Sequence, residues 1–86
     1  TYQDAAIGAC RYSHLTTFSF HPVKTIATGE GGAVCCRGEE LWQRVKMLAS
    51  HGIERDAVRF SHHQKQPWYY EQQLLGFNYR LTDIQA

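Results

Sequence analysis

The chain has 86 residues, of which 43% are hydrophobic and 13% aromatic. That length allows one small domain at most, and that apolar content excludes disorder throughout. With 9 basic against 8 acidic residues the formal net charge is +1, a balance that offers nothing to nucleic acid or an anionic membrane.

No apolar run approaches the length of a membrane span and no signal-peptide pattern opens the chain. Cys10, Cys35 and Cys36 are odd in number and two are adjacent. That arrangement speaks for reduced thiols in a cytoplasmic protein and against a disulfide framework. Zinc bound through Cys35, Cys36 and the His62-His63 pair is disfavoured. There is no Cys-x-x-Cys spacing, and adjacent cysteines in a strand point to opposite faces. No metal site is expected.

Residues 1–14 carry Tyr2, Ile7 and Tyr12 among small and polar residues. A hairpin or irregular connection is expected here, with Gly8 at a turn and Asp4 a turn residue. Leu15 to Phe20 reads as a strand, since Leu15, Phe18 and Phe20 are bulky and Thr16 and Thr17 are β-branched. Its apolar density predicts burial on both faces. Pro22 ends any ladder because it has no N–H to donate. Lys24 follows on backbone that is no longer strand, and Gly29-Glu30-Gly31-Gly32 allows tight turns. A lysine between a strand end and a glycine turn can be held rigidly while its amine faces a cavity, which suits attack on a carbonyl carbon. The same spacing fits a solvated lysine beside an ordinary loop, and the residues alone leave both readings open.

Ala33-Val34-Cys35-Cys36 predicts a second short strand, ended by Arg37-Gly38. Glu39 to Ser50 is the clearest helix. Leu41, Val45 and Leu48 recur at i, i+4 and i+7, with Trp42 and Ala49 widening the stripe. Glu39 and Glu40 suit the first turn, Glu40 can pair with Arg44, and Gly52 supplies the stop. Glu54 to Gln66 is polar and without period, a loop. Pro67-Trp68-Tyr69-Tyr70 reads as a satellite core or a subunit contact. Thr82 with Asp83 predicts a helix start.

Phe18-Ser19-Phe20-His21-Pro22-Val23-Lys24 together with Gly29-Glu30-Gly31-Gly32-Ala33-Val34 resembles the signature of the DegT/DnrJ-type sugar aminotransferases. These are pyridoxal-phosphate enzymes of the aspartate-aminotransferase-like fold. The resemblance continues through Ser50-His51-Gly52-Ile53 and Trp68-Tyr69-Tyr70-Glu71-Gln72. It closes with Leu75-Gly76-Phe77-Asn78-Tyr79-Arg80-Leu81-Thr82-Asp83-Ile84-Gln85-Ala86. It covers nearly the whole chain in the family's order. The His-Pro-Val-Lys form and the Trp-Tyr-Tyr-Glu-Gln segment are most similar to the family's pseudaminic acid pathway members.

The resemblance implies an α/β fold: an internal segment of the large domain of a fold type I pyridoxal-phosphate enzyme. Two to three short strands and one main helix are expected, in a single partial domain over 1–86. It also implies that Lys24 holds pyridoxal phosphate as a Schiff base and then moves the proton, with the cofactor ring as electron sink. By the same resemblance Ser19 holds the cofactor phosphate, and Asn78 reaches a partner's cofactor phosphate across a dimer interface. Arg80 is then structural or near the site, and the Trp68 cluster can wall the nucleotide-sugar site.

A 4-keto nucleotide sugar would be the acceptor, alongside an amino donor, in a homo-oligomer. The related 3-dehydratases carry histidine at the lysine position, so Lys24 favours transamination. The family's aspartate motif would lie ahead of Thr1, which is why Asp4 is not given that role. His21 occupies a position shared with the pseudaminic-type enzymes, but spacing gives no role to His21, His62 or His63. Two other classes stand beside this one: a catalytically inactive, self-associating module that buries exposed strands, and a small domain binding phosphate through Ser19 and the glycine turn.

Overall fold

The structure, a computed structural model, describes residues 1–62 and 66–86. His63 and Lys65, which fall in the polar segment expected to be a loop, lie outside the described residues. The described chain divides into two compact units, Thr1–Gln43 with Leu81–Ala86, and Arg44–Arg80.

In the first unit β1 (Leu15–Ser19) pairs antiparallel with β2 (Gly32–Cys36), with Leu15 opposite Cys36 and Ser19 opposite Gly32. Alternation puts Thr16, Phe18, Cys35 and Ala33 on one face, and Leu15, Thr17, Val34 and Cys36 on the other. Residues 1–14 lie against the first of these faces. Tyr2 and Ala5 form an isolated bridge, and Cys10 is the buried apolar residue among those described. Its thiol donates to the Cys35 carbonyl at 3.3 Å. The Asp4 carboxylate accepts the Tyr12 hydroxyl and pairs with Arg11 at 2.5 Å, as a turn residue tying its own segment. The three cysteines are free thiols.

The expected burial of β1 on both faces does not hold. Leu15 remains 43% and Phe18 36% exposed. Two-sided burial requires a layer over each face, and β1 has one hydrogen-bonded neighbour and a cover of small residues on one side. Apolar density reported what the strand can bury, not what lies over it.

Helix α1 spans Glu39–Ala49, with Glu39 and Glu40 in its first turn, one residue shorter than predicted. Leu41, Val45, Leu48 and Ala49 are half-buried while Trp42 stays exposed. In the second unit β3 (Ile53–Glu54) pairs antiparallel with β4 (Glu71–Gln72), and Ala57–Arg59 forms a 3₁₀ turn capped by Asp56. The polar segment expected to be a loop, Glu54 to Gln66, thus begins on the last residue of β3 and holds a short helical turn. Among the described residues no helix is long and apolar enough to cross a membrane.

The end of α1 shows how the second unit is held together. The last carbonyls of a helix lack intrahelical donors. Here Met47 O accepts from Gly52 N–H, Leu48 O from Phe77 N–H and Ala49 O from Tyr79 N–H, at 2.8, 2.8 and 2.9 Å. His51 and Gly52 take left-handed φ of 59° and 70°, so the expected stop is shared by two residues. The approach is so close that a Cβ on Gly76 would lie 2.3 Å from Gly52 N and 2.8 Å from Leu48 O.

Candidate functional site

Between β1 and β2 the hairpin opens into a loop that carries Lys24. Phe20 N–H donates to Gly31 O at 2.9 Å and Thr28 N–H to Phe20 O at 3.0 Å, closing its base. Inside, Pro22 has left the ladder as predicted, and Lys24 N–H donates to His21 O at 2.9 Å, an i to i+3 turn. His21 N–H reaches back to Ser19 Oγ at 3.4 Å. The backbone of His21 therefore links Ser19 to Lys24, a role its spacing in the sequence did not show. Its ring lies 3.8 Å from the Glu30 carboxylate, across the loop base.

Ser19, His21 and Lys24 are all exposed. The Ser19 hydroxyl accepts one N–H and keeps its own proton to donate. Among the described residues the Lys24 amine has no carboxylate partner. A hydroxyl donor and an unengaged primary amine, joined through one residue, fit a phosphate-bearing aldehyde in kind.

Asn78 belongs to the second unit. It bridges to Ser50, and its flanking residues donate to the α1 carbonyls. Phe77 and Tyr79 therefore project together and stack, their rings 5.0 Å apart and 8° from parallel. Asn78 Oδ1 accepts from Arg80 Nε at 2.7 Å, and among the described residues its amide N–H groups have no acceptor. Arg80 is thus tied to Asn78.

Two buried glutamates organise the rest of this unit, and neither was singled out from the sequence. Glu54 and Glu71 are register partners in β3 and β4, and like charges so placed repel. Each is satisfied by its own donors. Glu54 accepts the N–H groups of Arg55 and Asp56, both at 2.8 Å, and pairs with Arg59 at 3.5 Å. Glu71 accepts from Ser61 N–H at 2.7 Å, His62 N–H at 3.0 Å, Gln73 Nε2 at 3.1 Å and Tyr69 hydroxyl at 3.2 Å. Burial by itself raises the Glu71 pKa. The hydrogen bonds, that from Ser61 foremost, outweigh it and bring the carboxyl down to about 2. For Tyr69 burial and the neighbouring Glu71 act in one direction, and both push the phenol up. Tyr69 also meets Phe60 and Trp68 edge-on, at 5.1 and 6.2 Å, so of the aromatic cluster Tyr69 packs beside Glu71 while Trp68 and Tyr70 stay exposed. Nothing in the run Glu71-Gln72-Gln73 marks Glu71 as buried, since backbone N–H groups of Ser61 and His62 are among its donors. No group of three metal-ligating side chains occurs among the described residues.

Residues 1–86, the whole chain, match the DegT/DnrJ/EryC1/StrS aminotransferase family. A UDP-4-amino-4,6-dideoxy-N-acetyl-beta-L-altrosamine transaminase of Campylobacter jejuni is 42% identical over 83 residues, covering 96% of this chain and 19% of that protein. Among solved structures, Helicobacter pylori PseC is described as an aminotransferase involved in the biosynthesis of pseudoaminic acid. It superposes with a TM-score of 0.76 at 34% identity, over 99% of this chain and 20% of that one. A chain assigned as a sugar aminotransferase of Streptococcus pneumoniae, in its PMP form, gives a TM-score of 0.65 at 29% identity, over 85% and 19%. The chain spans about a fifth of the length of these relatives. It belongs to the DegT/DnrJ/EryC1/StrS aminotransferase family, and its fold is that of one segment of such an enzyme.

Proposed function

We propose that this chain is the cofactor-bearing segment of an aminotransferase that acts on a 4-keto nucleotide sugar in amino-sugar biosynthesis. The observation that carries the reading is the turn joining Ser19 to Lys24 through the His21 backbone, inside a segment matched along its whole length by the family. The relatives' names supply the substrate class and the PMP form the cofactor class.

Pyridoxal phosphate, when bound, supplies the electron sink that makes the substrate's C–H bond acidic. The chain's own residues have simpler tasks. Lys24 would supply the primary amine that holds the cofactor's carbonyl carbon, and the same amine would take up and return the proton as a general base and acid. Ser19 would donate its hydroxyl to the phosphate, and the i to i+3 turn at His21–Lys24 holds the backbone between the two residues. Asn78 would offer its amide N–H groups to the phosphate of a second subunit's cofactor, in a cytoplasmic homo-oligomer.

Pyridoxal phosphate added to the chain, reduced with borohydride and mapped by peptide mass, tests this reading. Stoichiometric label on Lys24, lost in Lys24→Ala, is expected. Label spread evenly over Lys24 and Lys46, or none, would overturn it. A second reading, a catalytically inactive self-associating module, is favoured by one observation: Trp68, Phe77 and Tyr79 are 74%, 58% and 73% exposed. Apolar surface of that kind seeks a partner.

A further inference from the structure

The four residues Thr82-Asp83-Ile84-Gln85 close on themselves. Gln85 N–H donates to Thr82 Oγ1 at 3.3 Å, while Gln85 Oε1 accepts from Thr82 N–H at 3.0 Å and from the Thr82 hydroxyl at 3.1 Å. Ala86 N–H reaches Thr82 O at 3.0 Å. This is the reciprocal arrangement of a capping box, in which both ends of a first helical turn satisfy each other's orphan N–H groups. The helix start predicted at Thr82 is present as this single turn.

The other end of the Gln85 amide has a different task. Nε2 donates at 2.8 Å to the carbonyl oxygen of Glu30, 55 positions earlier. The network fixes which way the amide points, since its oxygen faces an N–H and its nitrogen a carbonyl. Glu30 O also accepts the Thr28 hydroxyl at 2.8 Å. The next residue, Gly31, accepts Phe20 N–H. A Cβ on Gly31, whose φ is +147°, would stand 2.8 Å from Leu81 Cδ2 and 2.9 Å from Thr28 Oγ1. The turn thus grips the base of the Lys24 loop at two adjacent residues, by hydrogen bond at Glu30 and by packing at Gly31.

We infer that Gln85 is a positioning residue for the Lys24 loop, and that the Thr82–Gln85 turn clamps the hairpin so that Lys24 and Ser19 keep their relation. The inference rests on Lys24 being the cofactor-bearing residue. Gln85 touches neither the amine nor Ser19. It acts through the Glu30 carbonyl and the loop base.

Gln85→Glu isolates the clamp. A glutamate keeps the oxygen acceptor that Thr82 needs and is itself a favoured capping-box residue, but it removes the donor to Glu30 O. Two readouts are taken on the 86-residue chain: amide hydrogen exchange at Phe20, Lys24 and Thr28, and the rate of borohydride-trapped pyridoxal phosphate labelling at Lys24 relative to Lys46. The ratio is insensitive to a general loosening, which moves both lysines. Loss of one ordinary hydrogen bond predicts about fivefold faster exchange at the three loop amides. The helix amides should stay unchanged, and the Lys24:Lys46 ratio should shift by a similar factor.

Unchanged exchange at the loop amides overturns the clamp. Faster exchange with an unchanged ratio overturns its action on Lys24. Should Gln85→Glu unfold the hairpin, Leu81→Ala, which removes the contact over Gly31, is read the same way. If the unaltered chain takes no label at Lys24, the cofactor reading fails while the exchange data still decide the clamp.

Discussion

Replacing Gly76 by alanine sets two physical effects of opposite sign against each other. The φ of Gly76 is outside the left-handed region, so alanine is conformationally allowed there. On that ground alone the variant would gain about 0.4–1 kcal/mol from a less flexible unfolded chain. Against this, its Cβ would lie 2.3 Å from Gly52 N, 2.8 Å from the His51 carbonyl carbon and 2.8 Å from Leu48 O. All three atoms are backbone, and none can swing aside. Segment 76–79 must lift from the end of α1, losing the bonds Phe77 N–H to Leu48 O, Tyr79 N–H to Ala49 O and His51 N–H to Phe77 O. At about 1 kcal/mol net for each bond, less the unfolded-chain gain, the variant is destabilised by about 2 kcal/mol. For a domain of this size that lowers the melting temperature by roughly 8–16 °C. Thermal unfolding followed by circular dichroism, with exchange rates at Phe77 and Tyr79, measures it. A melting temperature equal to or above that of the parent would refute the close-approach argument, because the entropic term would then have won.

Two other outcomes are expected. Glu71 has a folded-state pKa of about 2 against an ordinary 4.5, so its contribution to stability is complete above about pH 4.5 and is lost as pH falls toward 2. Urea unfolding across that window should show a slope that Glu71→Gln flattens; superimposable pH profiles for the two proteins would show that the four donors to Glu71 do not stabilise its charged form. If the exposed faces of Trp68, Phe77 and Tyr79 drive association, the weight-average mass from light scattering should rise with concentration, and a strict monomer over the whole range would remove the module reading.

The parts legible in the sequence are those set by neighbours along the chain. Pro22 has no N–H wherever it is placed, so the strand had to end before it. The i, i+4, i+7 stripe from Leu41 and the acids Glu39 and Glu40 fixed α1 to within a residue. Thr82 with Asp83 beside it marked the start of a helical turn. Lys24 outside the strand, between β1 and a glycine turn, follows from the same local rules. The family assignment came from separated motifs holding their order.

What only the tertiary structure decided depends on groups brought from far along the chain. A glutamate after Tyr70 carries no mark of burial, since two of its four donors are the backbone N–H groups of Ser61 and His62, and every residue but proline has one. Gln85 looks like a solvated helix residue until its amide meets a carbonyl 55 positions away. The constraint on Gly76 is the close passage of two backbones, which no neighbour in the sequence announces. The exposure of β1 was misjudged for the same reason. Apolar side chains state the free energy available from burial, while the layer that would collect it is a property of the packed structure and is written at no single position.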